Sequence, residues 1–168
     1  MNIVLIGMRG SGKTTIGKLL EKQLQRKRIE MDDLVVEKAG MTIPEMVAIH
    51  GWDFLRNIEA KVAKEVGQKN NVIISTGGGV VTREENVVNL KKNGKIFWLQ
   101  ANVDTLVKRI GDDPNRPALT DKKTPEGELM DVLEHRKKQY EDAADFVITN
   151  ENQTPEETVE EIIQKINI

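Results

Sequence analysis

The chain has 168 residues, 31% of them charged and 38% hydrophobic, with a formal net charge of −2 and no cysteine. Such a length buries a full core and fits a single domain spanning residues 1–168. The charge balance excludes the global basic field of a nucleic-acid binder, and the lack of cysteine excludes disulfides, thiolate metal sites and cysteine nucleophiles.

In chain order, the first element is an apolar strand, Asn2–Ile6. It runs straight into Gly7-Met8-Arg9-Gly10-Ser11-Gly12-Lys13-Thr14 and then into Ile16-Gly17-Lys18-Leu19-Leu20, which has helical spacing. Buried strand, glycine-rich turn and helix start are the context that gives the G-x-x-x-x-G-K-[ST] pattern its meaning. Glycines let backbone N–H groups converge on a phosphate, and the helix dipole adds positive potential there. Lys13 then reaches the β- and γ-phosphates, and the Thr14 hydroxyl is suited to Mg²⁺. The motif predicts a nucleoside-triphosphate site made of Gly10, Ser11, Gly12, Lys13, Thr14 and Thr15.

A weaker strand follows at Arg28–Met31, then a helix over Asp33–Ala39. Further strands fall at Val72–Ser75, Lys95–Leu99 and Asp145–Thr149, with helical stretches between them. Thr42-Ile43-Pro44-Glu45 and Thr82-Arg83-Glu84-Glu85 both match the capping box, and Thr124-Pro125 and Thr154-Pro155 place proline at the first helical position. Five strands alternating with helices predict a three-layer α/β fold on a parallel sheet. Ligands in such sheets lie beyond the carboxyl ends of the strands. No apolar run has the length of a membrane span and no leader precedes the first strand, so the expected location is the cytoplasm.

With so small a net charge, an anionic substrate needs local arginines. Asp32 follows the second strand, where a carboxylate either caps a helix or accepts a proton from an attacking hydroxyl. Glu30, two residues earlier, projects to the same side on an extended strand and suits a water on the Mg²⁺. Gly77-Gly78-Gly79 after the third strand makes sense if a ligand approaches the main chain. Arg56 with Glu59 three residues on reads, taken alone, as a surface ion pair, and Arg136 as one more solvated charge. Gly111–Lys123 has no apolar period and contains one arginine, Arg116; it suits a lid that excludes water from phosphoryl transfer. His50 and His135 have no ligand-spaced partners, and Trp52, Phe54 and Trp98 read as packing residues.

Together, Gly7–Thr14, Asp32, Gly51 with Arg56 and Glu59, Gly77-Gly78-Gly79, Arg116-Pro117-Ala118-Leu119 and Arg136 with Tyr140 resemble the shikimate kinase family of phosphate-loop proteins. The resemblance implies a five-stranded parallel sheet, a helical substrate-binding segment near 32–60 and a mobile lid near 111–123. It implies transfer of the ATP γ-phosphate to the 3-hydroxyl of shikimate, with Mg²⁺, in a monomer with no nucleic-acid or membrane partner. By position it makes Lys13, Asp32 and Arg116 catalytic, and it adds Arg109, Arg116 and Gln153 to the ATP site. Asp32, Arg56, Gly78, Gly79 and Arg136 would hold shikimate, and Thr14 and Glu30 the metal, the latter through water. Glu30, Trp52, Leu55, Lys138 and Arg9 depart from the family's usual residues. Kinases of gluconate or nucleoside monophosphates, and a nucleotide-binding protein without phosphotransfer, are the rival readings.

Overall fold

The structure is a computed structural model, and it describes residues 1–111, 118–122 and 124–166. Five strands form one parallel sheet: β1 (Asn2–Ile6), β2 (Arg28–Glu30), β3 (Ile73–Ser75), β4 (Gly94–Gln100) and β5 (Phe146–Thr149), in the order β2-β3-β1-β4-β5. Between them run α1 (Lys13–Leu24), α2 (Met31–Ala39), α3 (Ile43–His50), α4 (Trp52–Gly67), α5 (Glu84–Lys91), α6 (Val103–Ile110) and α7 (Pro125–Ala143), and α8 (Pro155–Ile166) closes the chain.

The period-2 alternation of the strands sorts the core into two layers. Ile3 and Leu5 of β1 pack with Ile73, Phe97 and Ile148 beneath Ile16 and Leu20 of α1 and Val159 and Ile162 of α8. Val4 and Ile6 face the other way, joining Ile74, Ile96 and Trp98 under the remaining helices. All five residues of β1 are buried, which is why residues 3–6 form a continuous apolar run, while the Asn2 amide is satisfied by Lys69 O and the Val72 N–H. The five expected strands are all present, displaced by no more than one residue at either end.

Two helix starts differ from the sequence reading. The segment after β2 becomes helical at Met31, so Asp32 lies inside the first turn and is not a cap. Fully buried Met31 anchors the turn, and Asp32 and Asp33 place negative charge at the positive end of the helix dipole. Thr82 does not cap α5, whose N-cap is Arg83. A short 3₁₀ turn, Val80–Thr82, uses the Thr82 hydroxyl instead, which donates to the Gly79 carbonyl at 2.7 Å. The Thr42–Glu45 capping box is formed, as is the Thr124 cap with proline at the first turn of α7.

Candidate active site

The loop from β1 to α1 curls over the carboxyl end of the sheet, with Gly10 and Gly12 at φ of 80° and 97°. Those left-handed angles suit glycine and leave the first N–H groups of α1 open to an anion. The Lys13 ammonium arches back over the loop, donating to the carbonyls of Gly7 and Met8 at 2.8 and 2.9 Å. Thr14, Thr15, Arg109 and Gln153 line the same cavity, of about 520 Å³, with Gly10, Gly12 and Lys13. Ser11 does not border it: its side chain is buried behind the loop and its backbone N–H bonds to Met8 O at 3.1 Å.

Asn150, directly after β5, is one residue of this cavity that motif reading passed over, with Thr76 and Thr158. It is buried and accepts Arg109 Nη1 on its side-chain oxygen at 3.1 Å, while Arg109 Nη2 reaches its carbonyl at 3.0 Å. Its own amide donates to Ser11 O at 2.9 Å, tying the far end of the cavity to the phosphate loop. The rule about strand ends pointed at this loop; the apolar strand before it gave no reason to choose Asn150 over its neighbours.

A second cavity, of about 370 Å³, lies on the other side of Asp32. Arg56 from α4 and Arg136 from α7 both border it, so two arginines far apart in sequence face one space. Arg56 is not a surface ion pair. Its Nη1 donates to Glu59 Oε2 at 3.1 Å with both side chains largely covered, and its guanidinium lies over the Trp52 ring at 5.3 Å. Burial, opposed by the Arg56 charge, pushes the Glu59 carboxyl above its ordinary value. Trp52 therefore does more than pack: it borders the cavity and supports an arginine there.

The triple glycine is the wall between these groups. A Cβ on Gly77 would lie 2.8 Å from Asp32 Oδ1 and 3.0 Å from Glu59 Oε1, and one on Gly79 would fall on the Arg56 guanidinium. Only a bare main chain fits between the carboxylates and the arginine. Tyr140 holds the turn from behind, donating to Gly78 O at 2.5 Å and stacking on buried Trp98 at 5.5 Å. Burial pushes its hydroxyl up to about 12, so it remains a donor. On α7, Arg136 sits one turn before Tyr140, and its charge works against the rise that burial causes.

Asp32, Gly77 and Gly78 border both cavities. Glu30 borders the first and is ion-paired with Arg28, which also approaches Glu21 at 3.7 Å. Since Glu30 ends β2 and Asp32 is helical, the alternation of an extended strand does not explain why both acids reach the first cavity. The turn into α2 does. Arg116 and most of the expected lid lie outside the described residues. His50 and His135 are exposed.

A phosphate loop at the head of a parallel sheet, with a carboxylate between its cavity and a second one walled by arginines, defines an ATP-dependent phosphotransferase of small molecules. The family model for shikimate kinase matches residues 9–167. A shikimate kinase from Caldicellulosiruptor bescii is 43% identical over 96% of this chain and 93% of its own length. One from Thermodesulfovibrio yellowstonii is 41% identical over 98% and 94%. Among solved structures, a shikimate kinase from Acinetobacter baumannii in complex with shikimate superposes with a TM-score of 0.93 at 32% identity, covering 99% of this chain and 92% of that one. The chain belongs to the shikimate kinase family.

Proposed function

We propose that this chain transfers the γ-phosphoryl group of ATP to the 3-hydroxyl of shikimate, giving shikimate 3-phosphate and ADP on the route to chorismate and the aromatic amino acids. The observation that carries the reading is the shared wall: a triphosphate in one cavity and a hydroxylated acid in the other would meet at Asp32, Gly77 and Gly78. Asp32 accepts the hydroxyl proton as the new O–P bond forms and the bond to the β-phosphate oxygen breaks. Lys13 and the N–H groups of Gly12 and its neighbours hold the charge that develops on the phosphates. Arg109 and Gln153 also border the ATP cavity, and the family resemblance assigns them to the nucleotide.

Arg56 and Arg136 present guanidinium forks to the carboxylate of the acceptor, a planar anion they match in shape. Their roles differ. Arg56 already has Glu59 in contact, whereas Arg136 has no carboxylate at ion-pair distance among the described residues. The acceptor's own carboxylate supplies that partner. Gly78 and Gly79 both border this cavity and present main chain to the acceptor, with the Arg56 guanidinium packed against Gly79.

The donor set fits Mg²⁺: Thr14 and Glu30 both bring oxygen donors to the ATP cavity, the chemistry a hard cation would take there. Thr14 would hold it directly and Glu30 through water, because Arg28 already engages the Glu30 carboxylate. A bound ion would help neutralise the charge of the phosphates. Arg116 is the arginine we assign to the lid, on its sequence position alone. We take the working unit to be a monomer on the family resemblance alone.

A coupled ADP-release assay tests this. Turnover is expected with shikimate and not with gluconate or a nucleoside monophosphate. Turnover with either of those acceptors instead of shikimate, or with none, overturns the reading.

A further inference from the structure

We infer that Glu128 is a positioning residue that braces the mouth of the acceptor cavity, a role that rests on the reading of that cavity as the shikimate site. Glu128 lies near the start of α7, four residues beyond the Thr124 cap, with a side chain only 13% exposed. One carboxylate oxygen accepts Arg9 Nη2 at 3.3 Å, and the other accepts the Leu119 backbone N–H at 3.1 Å. Glu128 does not border the cavity; Arg9 and Leu119 both do.

A single carboxylate thus joins three segments that meet only in the folded chain. These are the phosphate loop through Arg9, the stretch before α7 through Leu119, and α7 itself, which carries Arg136. Arg9 is well placed to transmit the constraint. Its backbone nitrogen would lie 3.7 Å from a Cβ on Gly78, so the loop segment that Glu128 steadies runs alongside the glycine wall. A charge-assisted contact with little exposure holds geometry better than a solvated pair, because water competes less for either partner. Releasing it lets the Arg9 and Leu119 walls move apart on the acceptor side. The floor of the ATP cavity, held by Lys13 and by Asn150, is left in place.

Two substitutions separate the arms. Glu128→Gln keeps an oxygen for the Leu119 N–H but loses the anion facing Arg9; Glu128→Ala loses both. Steady-state kinetics on the full chain, with each substrate varied in turn, should show Glu128→Gln raising the KM for shikimate about tenfold, with the KM for ATP changed less than about twofold. Glu128→Ala should raise it further. In an Arg9→Met background, Glu128→Gln should lose most of its effect, which a double-mutant cycle measures directly. An equal rise in both KM values with a lowered thermal midpoint would mark a merely structural role and overturn the inference. So would an effect undiminished by Arg9→Met, or no effect in a wild-type protein that turns over shikimate. A wild-type protein inactive on shikimate would overturn the underlying reading as well.

Discussion

The two cavities that share Asp32 are built in different ways. The ATP cavity rests on a contiguous motif whose contacts are largely main chain: glycine dihedrals, the start of α1, and Lys13 folded onto the carbonyls of its own loop. The acceptor cavity sets charged side chains from α4 and α7 against a glycine turn, with apolar residues of α2 and α3 completing its wall. Backbone geometry recognises any phosphate chain, which is why the first design recurs across kinases. Paired, half-buried guanidinium groups suit one planar anion in one place, so under the proposed function the acceptor side is where this chain would acquire its specificity.

The sharpest way to break this division is at the shared wall. Asp32→Asn should leave ATP binding intact and lower kcat by about 10³-fold, the range expected for loss of a positioned base. Nucleotide titration alongside single-turnover transfer measures both. Full turnover in that variant would remove Asp32 as the proton acceptor.

On the acceptor side alone, Arg136→Ala should raise the KM for shikimate by roughly 10²-fold with ATP affinity little changed, since it deletes charge-assisted bonds to a carboxylate. A selective loss of ATP affinity would show that the cavities are not divided as described.

The smallest effect is on stability. The Glu59 carboxyl is raised above its ordinary value of 4.5, with burial as the largest cause. Between that value and the folded one, the native state holds the proton more than the unfolded chain does. Glu59 therefore makes stability fall as pH rises through this window. Thermal midpoints taken from pH 4.5 upward should fall more steeply in the wild type than in Glu59→Gln. Parallel slopes would mean that Arg56 offsets the burial of Glu59 completely.

Much of this molecule can be read from the chain, but unevenly. The central strands are legible because a sheet covered on both faces demands apolar runs, as at residues 3–6 of buried β1, whereas edge strand β2, Arg-Ile-Glu, gives a weaker signal. The Thr42–Glu45 capping box is equally local, and it forms. Thr82 shows the limit of such reasoning. Its spacing to Glu85 satisfies the same pattern, yet the turn after the glycines claims its hydroxyl first. The Arg56–Glu59 pair shows another: its three-residue spacing is that of any exposed helical pair, and nothing in it records that α4 turns this face inward. Glu128 shows a third, because its two partners lie on separate segments that no periodicity links.

By itself, then, the sequence determined the sheet, the phosphate loop and the set of residue types available for chemistry, because each of these depends on neighbours within a few positions. The tertiary structure decided which acids are buried, which arginines share a cavity, and that Asp32 faces both cavities at once. Those outcomes follow from packing between distant segments, and burial turns an ordinary surface charge into a directed one by taking away the water that would otherwise screen it.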